Sequence, residues 1–268
     1  MKTVKSLFLL AAFLMSSFIL ISQDTQQTFF IVETMKSTPG KTDEYVKAER
    51  EVWKRIHQER VKQGLITGWN FYAVRSPSGS SAPYDYVTVT LVNGWDKLEN
   101  PWGNMLAAGA EKLLTKEQLA VANGTGKLRD LTNSTLFYGA DFVAADPKAT
   151  TPAKYQVINY MKVKEGMWDE YMNMETQLIK PIHVEMMKTG GRSAWGLYGR
   201  AFGGTNHPYD FVTADFYNKW SDMNAPGDYS KTLEKVNPKM SMSYLEKRIT
   251  ETRNLVNSEV WELIDFTR

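Results

Sequence analysis

Residues 82–95 read APYDYVTVTLVNGW and residues 207–220 read HPYDFVTADFYNKW, so Pro-Tyr-Asp, an aromatic residue and Val-Thr recur at matching places. The match runs far beyond this stretch. An offset of 126 pairs Met35 with Met161, Gly40 with Gly166, Tyr45 with Tyr171, Glu49 with Glu175, Lys54 with Lys180 and His57 with His183. It continues through Gly64 and Gly190, Trp69 and Trp195, Tyr72 and Tyr198. One deletion makes the offset 125, for the Pro-Tyr-Asp segments and for Trp95 with Trp220. A second makes it 124, for Arg129 with Arg253, Asn133 with Asn257 and Asp141 with Asp265. An ordered series like this is the mark of an internal duplication, and both copies must fold on one plan.

Each copy carries the same punctuation. The stretches TFFIVETMK and YQVINYMKV are rich in β-branched and aromatic residues and read as strands. A glycine then precedes a helical segment, 42–63 and 167–189, which closes at a second glycine. GWNFYAVR and AWGLYGR are second strands, and YDYVTVTLV and YDFVTADFY third strands. A broken helical region follows, 103–131 and 229–256, before the closing strands STLFYGADF and SEVWELIDF. The order is β-α-β-β-α-β, the ferredoxin-like or split βαβ unit. The chain therefore divides into a first repeat at 23–143, a linker AADPKATTPAK over 144–154 and a second repeat at 155–268.

Residues 1–22 stand outside this plan. Lys2 and Lys5 precede an apolar run from Leu7 to Ile21, short for a membrane-spanning helix and matched to an export signal. The expected location is accordingly periplasmic or secreted, with no membrane attachment after processing. Those two lysines also account for the formal net charge of +2, so the remainder is neutral and offers no general attraction to nucleic acid. The absence of cysteine excludes disulfides, thiolate catalysis and Cys-ligated metals. No HExxH spacing is present, and no metal site is expected.

On this duplication and element order the chain resembles the dimeric α/β-barrel superfamily, which includes antibiotic-biosynthesis-type monooxygenases and EthD-like proteins. The resemblance implies an α+β fold in which two ferredoxin-like units set their sheets face to face, with helices outside. Here both units lie in one chain, so the barrel is intramolecular. It also implies two activities to weigh: a cofactor-free monooxygenase or isomerase, and a haem-binding tandem barrel with His57 or His183 as ligand. The Gly-x-x-Asp-Gly signature of the haem peroxidases is absent. Nothing in the sequence amounts to a catalytic signature, and no cofactor is expected as the first reading.

Glu49 and Glu175 lie on the apolar face of the first helix in each copy, in stripes such as Tyr45, Glu49, Val52, Trp53 and Ile56. A buried carboxylate needs a partner or a raised pKa. The histidine eight residues on is about 12 Å away along a helix, too far to bond. Tyr72 or Arg75, and their counterparts Tyr198 or Arg200, are the expected partners.

A single ligand site in a pseudo-symmetric barrel belongs where the copies disagree. On the third strand Val87, Val89 and Leu91 alternate with Thr88 and Thr90, as Val212, Ala214 and Phe216 do with Thr213 and Asp215. With the apolar face against the helices, the mixed face lines the interior. Asp215 then opposes Thr90, and on the first strand Glu33 opposes Asn159. The candidate ligand-binding set is Glu33, Tyr72, Thr88, Thr90, Asn159, Tyr198, Thr213 and Asp215. The chain reads as an exported protein that holds a small hydrophobic or aromatic molecule, and self-association is compatible with the pattern.

Overall fold

The computed structural model describes residues 26–106, 108–188, 190–224 and 228–268, so the expected signal at 1–22 lies outside the described residues. The first copy supplies β1 (Thr28–Ser37), β2 (Gly68–Ser76), β3 (Tyr86–Asn93) and β4 (Arg129–Ala144). The second supplies β5 (Tyr155–Val163), β6 (Arg192–Arg200), β7 (Phe211–Tyr217) and β8 (Arg253–Thr267). Round the closed barrel the order is β1-β3-β2-β8-β5-β7-β6-β4, and every neighbouring pair is antiparallel. Two tandem ferredoxin-like repeats thus form one intramolecular α/β barrel. The strand stated twice is one wall of each half.

The two closing strands join the halves. β4 has 16 residues and β8 has 15, and each changes partner part-way. β4 pairs with β1 through Tyr138 and with β6 from Phe137 onward. β8 pairs with β5 through Glu262 and with β2 from Val260 onward. A register shift beside Asp141 and another beside Asp265 let each strand bend from one sheet into the other. Both strands also begin earlier than the sequence suggests, at Arg129 and Arg253, and take over the end of the expected helical regions. Each aspartate is bound by a lysine from the other copy's helix, Lys180 to Asp141 at 2.7 Å and Lys54 to Asp265 at 2.6 Å. These reciprocal ion pairs staple both seams.

Helices cover the outside. In the first copy α-helical Thr42–Ala48, π-helical Glu49–Trp53 and α-helical Lys54–Lys62 run on without a break. Trp168–Asn173, Met174–Ile179 and Lys180–Lys188 repeat the arrangement. Gly40 and Gly166 enter these helices at φ of 76° and 75°, where a side chain would be strained. Acidic pairs in the first turns, Asp43 with Glu44 and Asp169 with Glu170, favour the positive helix end. Buried along these helices are Tyr45, Glu49, Val52 and Ile56, and in the second copy Tyr171, Glu175, Ile179 and Ile182; Tyr45 packs on Phe71 and Tyr86 of the sheet, and Val52 and Ile56 on Met105, Ala110 and Leu114. In both copies the wide π turn contains the glutamate. No helix of the described residues is long and apolar enough to cross a membrane.

Candidate functional site

The two sheets enclose a bore, a cavity of about 1250 Å³. Its walls come from the strand positions that point inward: Phe30 and Val32, Tyr72, Val89 and Leu91, Phe137, Ile158, Tyr160, Tyr198, Ala214, Phe216 and Trp261. One mouth is flanked by Tyr84 and Tyr209, each just before the third strand of its copy, and by Asn133 and Asn257. Gln26, Gln27 and linker residues including Pro147, Thr151 and Pro152 line another part of the opening. Gly196 permits a close approach within the wall, because a Cβ there would sit 2.4 Å from the Tyr198 hydroxyl. The Tyr198 ring lies edge-on to Phe30, with centroids 4.9 Å apart. Tyr72 accepts a hydrogen bond from Gln156 Nε2 at 2.6 Å. Burial raises the pKa of both phenols, so they are neutral donors and acceptors at ordinary pH.

Beside Tyr84, Tyr160 and Trp261 in this lining stands the carboxylate of Glu259. Glu259 is 4% exposed and accepts four hydrogen bonds. Oε1 takes Tyr84 Oη at 2.6 Å and Asn257 Nδ2 at 3.1 Å. Oε2 takes Trp261 Nε1 at 2.8 Å and Tyr160 Oη at 3.1 Å. Burial, reinforced by the negative charge of Glu259, raises the pKa of Tyr84 and of Tyr160. At the 124 offset the counterpart of Glu259 is Thr135, and at the 126 offset that of Tyr160 is Thr34. Disagreement between the copies does mark the polar end of the bore, at residues the sequence reading did not pick out. Writing Glu259 beneath Thr135 was the signal that could have found it.

Of the eight residues proposed from sequence, Tyr72 and Tyr198 line the bore. The other six lie on the opposite face, and the face assignment is corrected. Val87, Val89, Val212 and Ala214 pack inside the barrel. Tyr86 and Phe211 instead pack on the helix tyrosines Tyr45 and Tyr171, with ring centroids 5.3 and 4.9 Å apart. Thr88, Thr90 and Thr213 share that helix-side face by strand alternation. Glu33 accepts from Thr88 Oγ1 at 3.4 Å. Asn159 donates to Thr213 and to Asp215, both at 3.5 Å, and accepts from Ser258 at 2.7 Å. Asp215 lies 3.4 Å from Arg192 Nε, and burial raises its pKa against the pull of that guanidinium. The inversion has a simple cause. Sheet faces in a barrel wrapped by helices are buried on both sides, and the wider apolar stripe went to the bore.

The helix glutamates are buried as expected, Glu49 at 4% and Glu175 at 1% exposure. Their partners differ from those expected. Tyr45 and Arg129 act on Glu49, and Tyr171 and Arg253 on Glu175, whereas Tyr72 and Tyr198 face the bore. Arg75 pairs with Glu262 at 3.2 Å, and Arg200 covers the Tyr209 ring. Desolvation raises both glutamate pKa values to about 7; Glu33 adds to the effect at Glu49 and Asp215 at Glu175.

Each buried histidine is stacked on a tryptophan and meets an arginine through Nδ1. His57 is stacked on Trp69 with centroids 4.7 Å apart, and its Nδ1 lies 2.8 Å from Arg60. Burial, with Arg60 beside it, holds the His57 pKa low. His183 stacks on Trp195 at 5.2 Å and its Nδ1 meets Arg192. His207 sits on the β6–β7 loop against Arg200, and none of the three lines the bore. Among the described residues no group of three or more His, Cys, Asp or Glu could hold a metal ion.

No protein-family model matches the chain, and no curated protein matches it. Solved structures do. The chain is similar to a monooxygenase candidate from Fusobacterium nucleatum subsp. nucleatum, at 10% identity and a TM-score of 0.55 over 91% of this chain and 95% of that one. It is similar to an anthrone oxidase-like protein at 13% identity and a TM-score of 0.52, over 91% and 94%. A candidate chlorite dismutase gives 10% identity and a TM-score of 0.51 over 90% and 96%. At these identities the likeness is one of fold. The class is the chlorite dismutase-like, dimeric α/β-barrel fold, carried here as a fused tandem.

Proposed function

We propose that the protein binds one small, largely aromatic or hydrophobic molecule inside the barrel. The observation that carries this reading is the bore itself: about 1250 Å³ of space between two sheets, walled by aromatic and aliphatic side chains and carrying a few convergent polar groups at one mouth. That combination is the usual form of a small-molecule site. The neutral dye N-phenyl-1-naphthylamine tests it. The folded protein should bind the dye at one site with a blue-shifted emission, and Ala214→Leu, which narrows the bore, should weaken binding about tenfold. Absence of binding, or binding indifferent to Ala214→Leu, overturns the proposal.

A second reading is turnover of the bound aromatic, by oxidation with dioxygen or by isomerisation, without a cofactor. Two observations favour it. Tyr84 Oη reaches the Glu259 carboxylate at 2.6 Å, a phenol–carboxylate contact suited to accepting a substrate proton. The fold is also that of an anthrone oxidase-like protein. Oxygen uptake in the presence of the ligand found by screening distinguishes turnover from binding. The proposal further places the protein outside the cytoplasm, on the basic and apolar character of residues 1–22.

A further inference from the structure

Glu259 is held but not neutralised. Its four hydrogen-bond partners, two phenols, an indole and an amide, are all neutral. Among the described residues no lysine, arginine or histidine forms an ion pair with it. Arg200 lies over the Tyr209 ring at 5.1 Å and bonds His207 and the Phe202 carbonyl, while Arg268 lines the bore where its charge acts on Tyr72 and forms no ion pair with Glu259. Neutral donors satisfy the oxygens geometrically, yet the negative charge remains in a low-dielectric, aromatic-lined space and projects into it.

The neighbouring groups point the same way. Tyr84 and Tyr160 both donate to Glu259, and their hydroxyls lie 3.3 Å from each other, so the pair presents oxygen lone pairs beside the carboxylate. The rings of Tyr160 and Tyr209 meet at 4.8 Å with planes 62° apart, and Phe137 lies parallel to Tyr209 at 6.3 Å. Trp261 completes this part of the lining. Aromatic faces carry negative charge density and attract cations, more so when both are removed from water. Nor does the repeat's fold require the acid, since the other copy has Thr135 there.

We propose that the bore selects an organic cation: a protonated amine on an aromatic body, its charged head among Tyr84, Tyr160, Tyr209 and Trp261 in front of Glu259. This rests on the bore being the binding site and names the chemical class it takes. An anion would meet the carboxylate, and a neutral analogue would leave its charge uncompensated.

Calorimetric titration with 2-phenylethylamine, 2-phenylethanol and 3-phenylpropionate at pH 7 tests the point. In the parent protein the amine should bind at least tenfold more tightly than the alcohol, with the propionate weakest. Glu259→Gln should reduce the amine-to-alcohol ratio to about one. Glu259→Thr, the residue the other copy tolerates, serves the same comparison if the glutamine variant does not fold. A ratio near one in the parent, or a preference that survives loss of the carboxylate in folded protein, overturns the proposal. If the alcohol and amine bind equally, only the cation selectivity fails. If neither probe nor the naphthylamine dye binds, the bore reading fails with it.

Discussion

Replacing Glu175 by glutamine should change how stability depends on pH, by an amount the structure sets. Glu175 is fully enclosed between its helix and the sheet, and desolvation raises its pKa from 4.5 to about 7; Arg253, with Nε at 3.6 Å, opposes the rise only in part. In the unfolded chain the same carboxyl titrates near 4.5. The folded state therefore holds a proton that the unfolded state has released, and the stabilisation is complete below 4.5 and lost as the pH climbs to about 7. At 1.36 kcal/mol per unit the loss amounts to about 3 kcal/mol. Glutamine keeps the shape and cannot ionise, so Glu175→Gln removes this loss while other groups titrate as before. Urea unfolding at intervals from pH 4.5 to pH 8 gives the difference in stability between variant and parent. That difference should move in favour of the variant by about 3 kcal/mol across the window. A difference constant to within about 0.5 kcal/mol would show that Glu175 ionises alike in both states, and the account of its burial would fall.

Asp215→Asn should cost about 3 kcal/mol in urea unfolding, because it leaves the buried Arg192 guanidinium without its anion, and should leave naphthylamine binding unchanged. Altered dye affinity in the folded variant would put Asp215 back in the bore. Glu49→Ala should lower stability by about 1–3 kcal/mol, read as a lower melting temperature, since Arg129 and Tyr45 lose their partner. Haemin added to the purified protein should give no histidine-ligated Soret band, since each buried histidine is stacked on tryptophan and faces an arginine. Intact-mass measurement of protein from its native host should find a chain that begins near Gln23; a full-length cytosolic species would contradict export.

The architecture was legible because duplication leaves evidence in pairs. Gly40 with Gly166 and Trp69 with Trp195 fixed the register of two copies, and the register fixed the element order. Which face of each strand looks inward was not legible. β3 is buried on both faces, so Val87 and Thr88 both leave water and alternation alone does not say where each goes. The partners of Glu49 and Glu175 escaped for a different reason. Arg129 and Arg253 lie far along the chain, at the first residues of β4 and β8, where the sequence still reads as helix. The π turns have no sequence signature of their own. Lys54 and Lys180 were visible as a matched pair, but only the closed barrel shows each reaching the aspartate of the opposite copy.

The reciprocal seams bear on what this chain is free to vary. A barrel assembled from two separate, identical repeats would carry every lining residue twice. An acid at the position of Glu259 would then reappear at that of Thr135, and two carboxylates would share one mouth with repulsion between them. Joining the repeats through residues 145–154 removes that constraint, because one lining position can be changed while its twin is left alone. Lys54 with Asp265 and Lys180 with Asp141 keep the two halves in register as their linings diverge. The covalent link thus allows what a pair of identical subunits forbids, a bore with a carboxylate at one lining position and a threonine at its twin.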